Sequence, residues 1–165
     1  MQRISSCAVS LVMGFALSLP AAAASCAQSQ DVTALKTADL QQFLMVAALT
    51  CHKVADYNEF VLSHQSELQS SDKQLLRYFM GRSVRTGDDD YNAFKTALAN
   101  AASLRSLHDA GFCSAADEAF AAGQGRPVAR QVAEQPPPIN LAYASCQGED
   151  AAPAGPQLEA ALDLR

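Results

Sequence analysis

The sequence predicts an all-α domain: a small, disulfide-stapled bundle of about four to five helices with an irregular C-terminal tail. Three observations carry this. Between Thr37 and Phe120 apolar residues recur at helical spacing, and no alternating pattern of the kind a half-buried strand shows runs longer than a few residues. Glycine and proline, which interrupt helices, are sparse before Gly123 and frequent after it. Four cysteines, Cys26, Cys51, Cys113 and Cys146, follow an N-terminal segment built for export, and an even cysteine set in an exported chain reads as disulfides.

The export segment spans residues 1–24. Arg3 supplies the positive start, Cys7 to Leu19 is apolar, Pro20 breaks the run, and Ala22, Ala23 and Ala24 offer the small residues a signal peptidase needs. A bilayer takes about 20 apolar residues, so this shorter stretch reads as a signal peptide cleaved near Ala24 and not as a retained span. The competing reading makes Cys26 a lipidated cysteine, but Ala23 stands where such sites usually carry leucine. Cleavage removes Cys7 together with Arg3 and shifts the net charge from −5 to −6.

Each helix has its own signal. Thr37 to Lys53 has no glycine or proline and is apolar almost all round from Phe43 to Leu49, which predicts a central buried helix. Tyr57, Phe60, Val61, His64 and Leu68 place a second helix, or a bent continuation of the first, over Ala55 to Leu68. Ser70 and Ser71 stand where an N-cap belongs, ahead of Leu75, Leu76, Phe79 and Met80, for a third helix ending near Gly81. Asp88, Asp89 and Asp90 suit the positive end of a fourth, in which Tyr91, Phe94, Leu98, Ala101, Ala102 and Arg105 recur with the helical period. Ser114 is expected to cap a short fifth helix, with Asp117 completing a capping box and Gly123 ending it. Residues 25–123 thus form the helical domain, and 124–165 a Pro/Ala-rich tail that Cys146 staples back.

The segments LKTADLQQFLMVAALTCHKVADYNEFV, LRYF, YNAFKTALANAASLRS and GFCSAADEAF resemble a family of short secreted bacterial proteins of uncharacterised function. The resemblance covers Leu35 to Phe120 and rests most on LMVAALTC, Tyr57-Asn58, Leu98-Ala99-Asn100 and Phe112-Cys113. It implies a helical exported domain whose shared pattern includes Cys51 and Cys113. It implies no activity, and Cys146 lies outside it. Four cysteines permit three connectivities. Joining Cys51 to Cys113 ties the end of the central helix to the start of the last one, and Cys26 with Cys146 then joins the two flexible ends.

The chemistry-bearing residues form no catalytic signature. Cys51, His52, His64, His108 and Cys113 carry atoms that zinc uses, without the short fixed spacings of structural sites. A cysteine nucleophile with His52, His64 or His108 as base needs a free thiol, which pairing removes. Asp88 to Asp90 lacks the alternating ligands, glycine and closing glutamate of a calcium loop. Glu59 with His64, or Glu67 with Asp72, can serve as acid and base only if the fold brings them into a cleft. Asn58 and Asn100 interrupt apolar patterns, either as buried amides tying helices together or, with Tyr57 and Tyr91, as a small polar pocket. The basic residues Lys36, Lys53, Lys73, Arg77, Arg82, Arg85, Lys95 and Arg105 are dispersed on an acidic chain, which disfavours nucleic acid and anionic membranes; Arg77, Arg82 and Arg85 read as a solvated helix end.

These readings point to an exported, periplasmic or secreted protein that binds or supports without catalysis. Another envelope protein is its expected partner, with no cofactor, no metal and no membrane span after cleavage. Two alternatives are a small periplasmic hydrolase using a cleft histidine, and an envelope stress chaperone or inhibitor of another exported protein.

Overall fold

A computed structural model of the protein describes residues 26–134. Six helices follow one another there: α1 (Ser29–Thr50), α2 (Val54–Ser63), α3 (Gln65–Arg82), α4 (Gly87–His108), α5 (Phe112–Gly123) and α6 (Val128–Ala133). The all-α expectation holds, with one helix more than the sequence suggested. The signal segment, Cys146 and the chain beyond residue 134 lie outside the described residues.

α1 is the axis. Its buried residues, among them Val32, Leu35, Ala38, Leu40, Leu44 and Ala47, fall on several faces, and it meets all five other helices. It begins eight residues before the expected Thr37. The backbone N–H of Gln28 donates to Asp31 Oδ2 at 2.8 Å, and Gln74 on α3 donates to Asp31 Oδ1 at 2.6 Å, so a buried carboxylate anchors this first turn. Two apolar clusters sit along the axis. Val32, Leu35 and Ala38 pack with Leu75, Phe79, Phe94 and Leu98 at one end. Leu40, Leu44 and Ala47 pack with Phe60, Leu68, Ala102, Phe112, Phe120, Val128 and Val132 at the other. The order of these contacts makes α3 antiparallel to α1, and α4 parallel to it.

Several boundaries differ from expectation. The chain breaks at His64, which ends α2 and opens α3, and Ser70 and Ser71 lie inside α3 and not at a cap. The stripe Leu68, Leu75, Phe79 continues through them, and core contact along that face outweighs their capping preference. Asp88, Asp89 and Asp90 do occupy the first turn of α4. At α5 the N-cap is Gly111, with Ser114 already inside the helix, and Asp117 pairs with Lys53 at 2.7 Å and takes no part in a capping box. The expected tail contains α6, because Val128 and Val132 stand one helical turn apart and are fully buried against α1 and α5. Pro127 introduces this helix and does not forbid it, since a proline at a helix start forfeits no hydrogen bond.

The expected Cys51–Cys113 disulfide is present and joins the C-cap of α1 to the first turn of α5. Cys26 is itself disulfide-bonded. Beyond Cys51, His52 takes a left-handed conformation with φ 59°, and the Lys53 N–H reaches back to the Ala48 carbonyl at 3.0 Å. This geometry closes the helix in the way a glycine usually does.

Candidate functional site

Among the described residues His64 and Asp31 are the two buried titratable side chains, each at 7% exposure, and His64 lies beside a cleft. It owes its position to the break between α2 and α3, which turns the ring under Phe60, centroids 4.9 Å apart. Its Nε2 lies 2.9 Å from the Gly123 carbonyl oxygen, which only accepts, so Nε2 carries the proton. Nδ1 lies 3.5 Å from Glu67 Oε1, one turn along α3, where the imidazolium form donates to the carboxylate. The other Glu67 oxygen accepts the Val128 backbone N–H at 2.8 Å and caps α6 from a distance. One histidine and one glutamate therefore hold the end of α5 and the start of α6 against the α2–α3 junction.

An open cleft borders this assembly, lined by Asp56, Glu59, Ser63 and His64 with Phe60, Phe120, Gly123, Gln124 and Gly125. The fold thus brings Glu59 and His64 to one cleft and gives His64 a carboxylate in Glu67. Asp72 stands apart from Glu67 chemically: Asp72 Oδ1 accepts from the Tyr91 hydroxyl at 2.7 Å and from Lys95 Nζ at 2.9 Å, and Lys95 also donates to the Tyr91 oxygen at 2.9 Å. Burial holds the Tyr91 phenol above its ordinary range, with the Lys95 hydrogen bond opposing, so it is a neutral donor and not a phenolate base. Burial alone would lower the Lys95 ammonium, but its bonds to Tyr91 and Asp72 leave it raised and charged. This trio ties α3 to α4.

The polar pocket expected from Tyr57, Asn58, Tyr91 and Asn100 does not form. Tyr57 packs on the cluster around Phe60 and Phe112, Tyr91 on the one around Phe79 and Phe94, and both asparagines are exposed. Neither asparagine is a buried amide; each lies on the solvent side of its helix. His52 and His108 are exposed at helix ends, and Cys51 and Cys113 are consumed by their bond. Among the described residues no group of three or more His, Cys, Asp or Glu stands together as a metal site, and no helix is long and apolar enough to cross a membrane.

Sequence reasoning missed a second concavity, between the first half of α1 and α3. Gln30, Thr33, Ala34 and Thr37 face Glu67, Ser70, Ser71, Gln74 and Arg77 across it, with Val128 and Ala129 at one end. Hydroxyl and amide side chains dominate this lining, and no aromatic ring contributes. The only signal in the sequence was the density of Ser, Thr and Gln in residues 29–37 and 65–74.

The chain matches no protein-family model, and no curated protein or solved structure matches it either. Its own residues are therefore the basis for a functional reading.

Proposed function

We propose that the protein is an exported, periplasmic or secreted binding or structural component of the cell envelope, acting without catalysis. The observation that carries this reading is the commitment of His64. A general base needs a ring nitrogen free to take a proton from a reacting group, and both nitrogens here face groups of the fold, the Gly123 carbonyl and the Glu67 carboxylate. The tripartite N-terminus and the disulfide support export.

The hydrolase reading keeps one observation in its favour: Ser63, Glu59 and His64 line a single cleft. Cross-linked capture from an envelope extract, run beside a panel of chromogenic ester, amide and glycoside substrates, separates the two. Stoichiometric recovery of one envelope component and no hydrolysis is the expected result. Hydrolysis that disappears in His64→Gln would overturn the proposal.

A further inference from the structure

We infer that the groove between α1 and α3 is a binding site for the carboxylate end of a short peptide with small side chains. The decisive residue is Thr37, which lines the groove and is 3% exposed. Helical threonines commonly return their hydroxyl to the carbonyl four residues back, and Thr33, Thr50 and Thr96 all do so at 2.9 Å. Thr37 does not, and its hydroxyl has no partner among the described residues. Nor is it shut inside the core, where Gln131 Oε1 is the unpartnered side-chain oxygen among those residues. The hydroxyl therefore keeps contact with solvent, and the groove is the side from which a ligand's polar group can take the place of water on it.

The chemistry of the partner follows from the rest of the lining. Arg77 on the rim donates to Gln74 Oε1 at 2.6 Å, and among the described residues no carboxylate lies within ion-pair distance of it. A guanidinium so placed fits a carboxylate through two parallel hydrogen bonds. Glu67, ten helix positions before Arg77, is the one carboxylate in the lining, and its oxygens face the Val128 N–H and His64. A single cation at the other end suits a monoanion better than a phosphate, which recruits clustered cations or helix N-termini. The absence of an aromatic face in the groove disfavours a stacked sugar or base, while Ala34 and Ser71 leave room for a slender chain whose amides can pair with Thr37 and Ser71. The inference rests on the binding reading above and names the ligand class for it.

The test is an amide-resolved NMR titration of the full mature chain with N-acetyl-alanyl-alanine and, separately, with its C-terminal carboxamide. Saturable shifts confined to the groove, around Thr37, Ser71 and Gln74, are expected with the acid. Loss of the charged contact should weaken binding about tenfold or more, both for the carboxamide and in Arg77→Gln. Thr37→Val should weaken the acid about three- to tenfold without lowering Tm, while Thr96→Val, which loses the same kind of hydroxyl on α4 outside the groove, changes nothing. No saturable shift in the groove, equal affinity for acid and carboxamide, or wild-type affinity in Thr37→Val would each overturn the inference. Those outcomes leave the binding reading standing if an envelope component is still captured, and a hydrolase activity lost in His64→Gln would sink that reading while leaving the groove result untouched.

Discussion

Replacing both Cys51 and Cys113 by alanine should remove a large share of the stability of this domain, and the structure sets the size. The two cysteines are 62 positions apart in sequence, and closing a loop of that length in the unfolded chain corresponds to about 4 kcal/mol at 25 °C in the chain-entropy model. Cys113 is exposed, so its truncation adds little, whereas Cys51 is partly buried against the Phe60–Phe112 cluster and its loss adds a small packing cost. The Cys26 disulfide remains in the variant and still restrains the unfolded chain, which makes 4 kcal/mol the upper end of the entropic part. Equilibrium urea unfolding followed by helical circular dichroism is the assay. With a slope of about 2 kcal/mol/M, the midpoint should fall by about 2 M. A fall under about 0.5 M, with native helix content, would refute the reasoning, because it would mean that Phe43, Phe112 and their neighbours hold the ends of α1 and α5 together as well without the bond as with it.

Three further outcomes are expected. Gly87→Ala should destabilise by about 1–3 kcal/mol in the same assay, since its new methyl would stand 2.7 Å from the Met80 Cα and 2.8 Å from the Phe79 carbonyl oxygen, backbone atoms that cannot swing aside. His52→Gly should stabilise by about 0.5–1 kcal/mol, read as a rise in urea midpoint, because glycine takes the left-handed conformation without the β-carbon clash, part of which its freer unfolded chain offsets. Burial raises the Asp39 carboxyl above its ordinary value, with Arg105 pulling it down, so the folded chain binds this proton more readily than the unfolded one. Its contribution is therefore present in acid and lost as pH rises through the raised value. Asp39→Asn should be more stable than wild type at neutral pH, with the gap closing as pH falls into the ordinary carboxylate range.

Where the sequence reading succeeded, the signal was local. Asp88 to Asp90 followed by the stripe Phe94, Leu98, Ala102 identified α4 because charge–dipole preference and apolar period agreed within one segment. The Cys51–Cys113 link was reachable because both cysteines stood at predicted helix ends. Where it failed, distant contacts decided. The first eight residues of α1, Ser29 to Lys36, are mixed in character, and Gln74, 43 positions away, helps to hold their turn by donating a hydrogen bond to Asp31. α6 was read as tail because Pro127 and Gly125 dominate its local sequence, yet two valines and a carboxylate 61 positions back were enough to fix it. Asn58 and Asn100 misled for the complementary reason: a polar residue inside an apolar pattern marks either a buried amide or the edge of the stripe, and only the neighbouring helix decides which.

The same logic separates the polar residues that build this fold from those that remain available to a ligand. Asp31, His64 and Glu67 are ordinary helix residues by spacing, and each became structural when a chain segment from elsewhere presented a donor or acceptor at hydrogen-bond distance. Once these long-range ties are drawn, the cleft beside His64 keeps its carboxylates but its imidazole is occupied. Across the α1–α3 groove, by contrast, Thr37 faces a lining rich in hydroxyls and amides, with its own hydroxyl still unpaired. A buried polar group that the fold has satisfied says little about function, whereas one that the fold has placed in a groove and left to solvent points outward. Thr37, unremarked in the sequence because threonine in a helix is ordinary, is thus more informative in the folded chain than any of the three histidines.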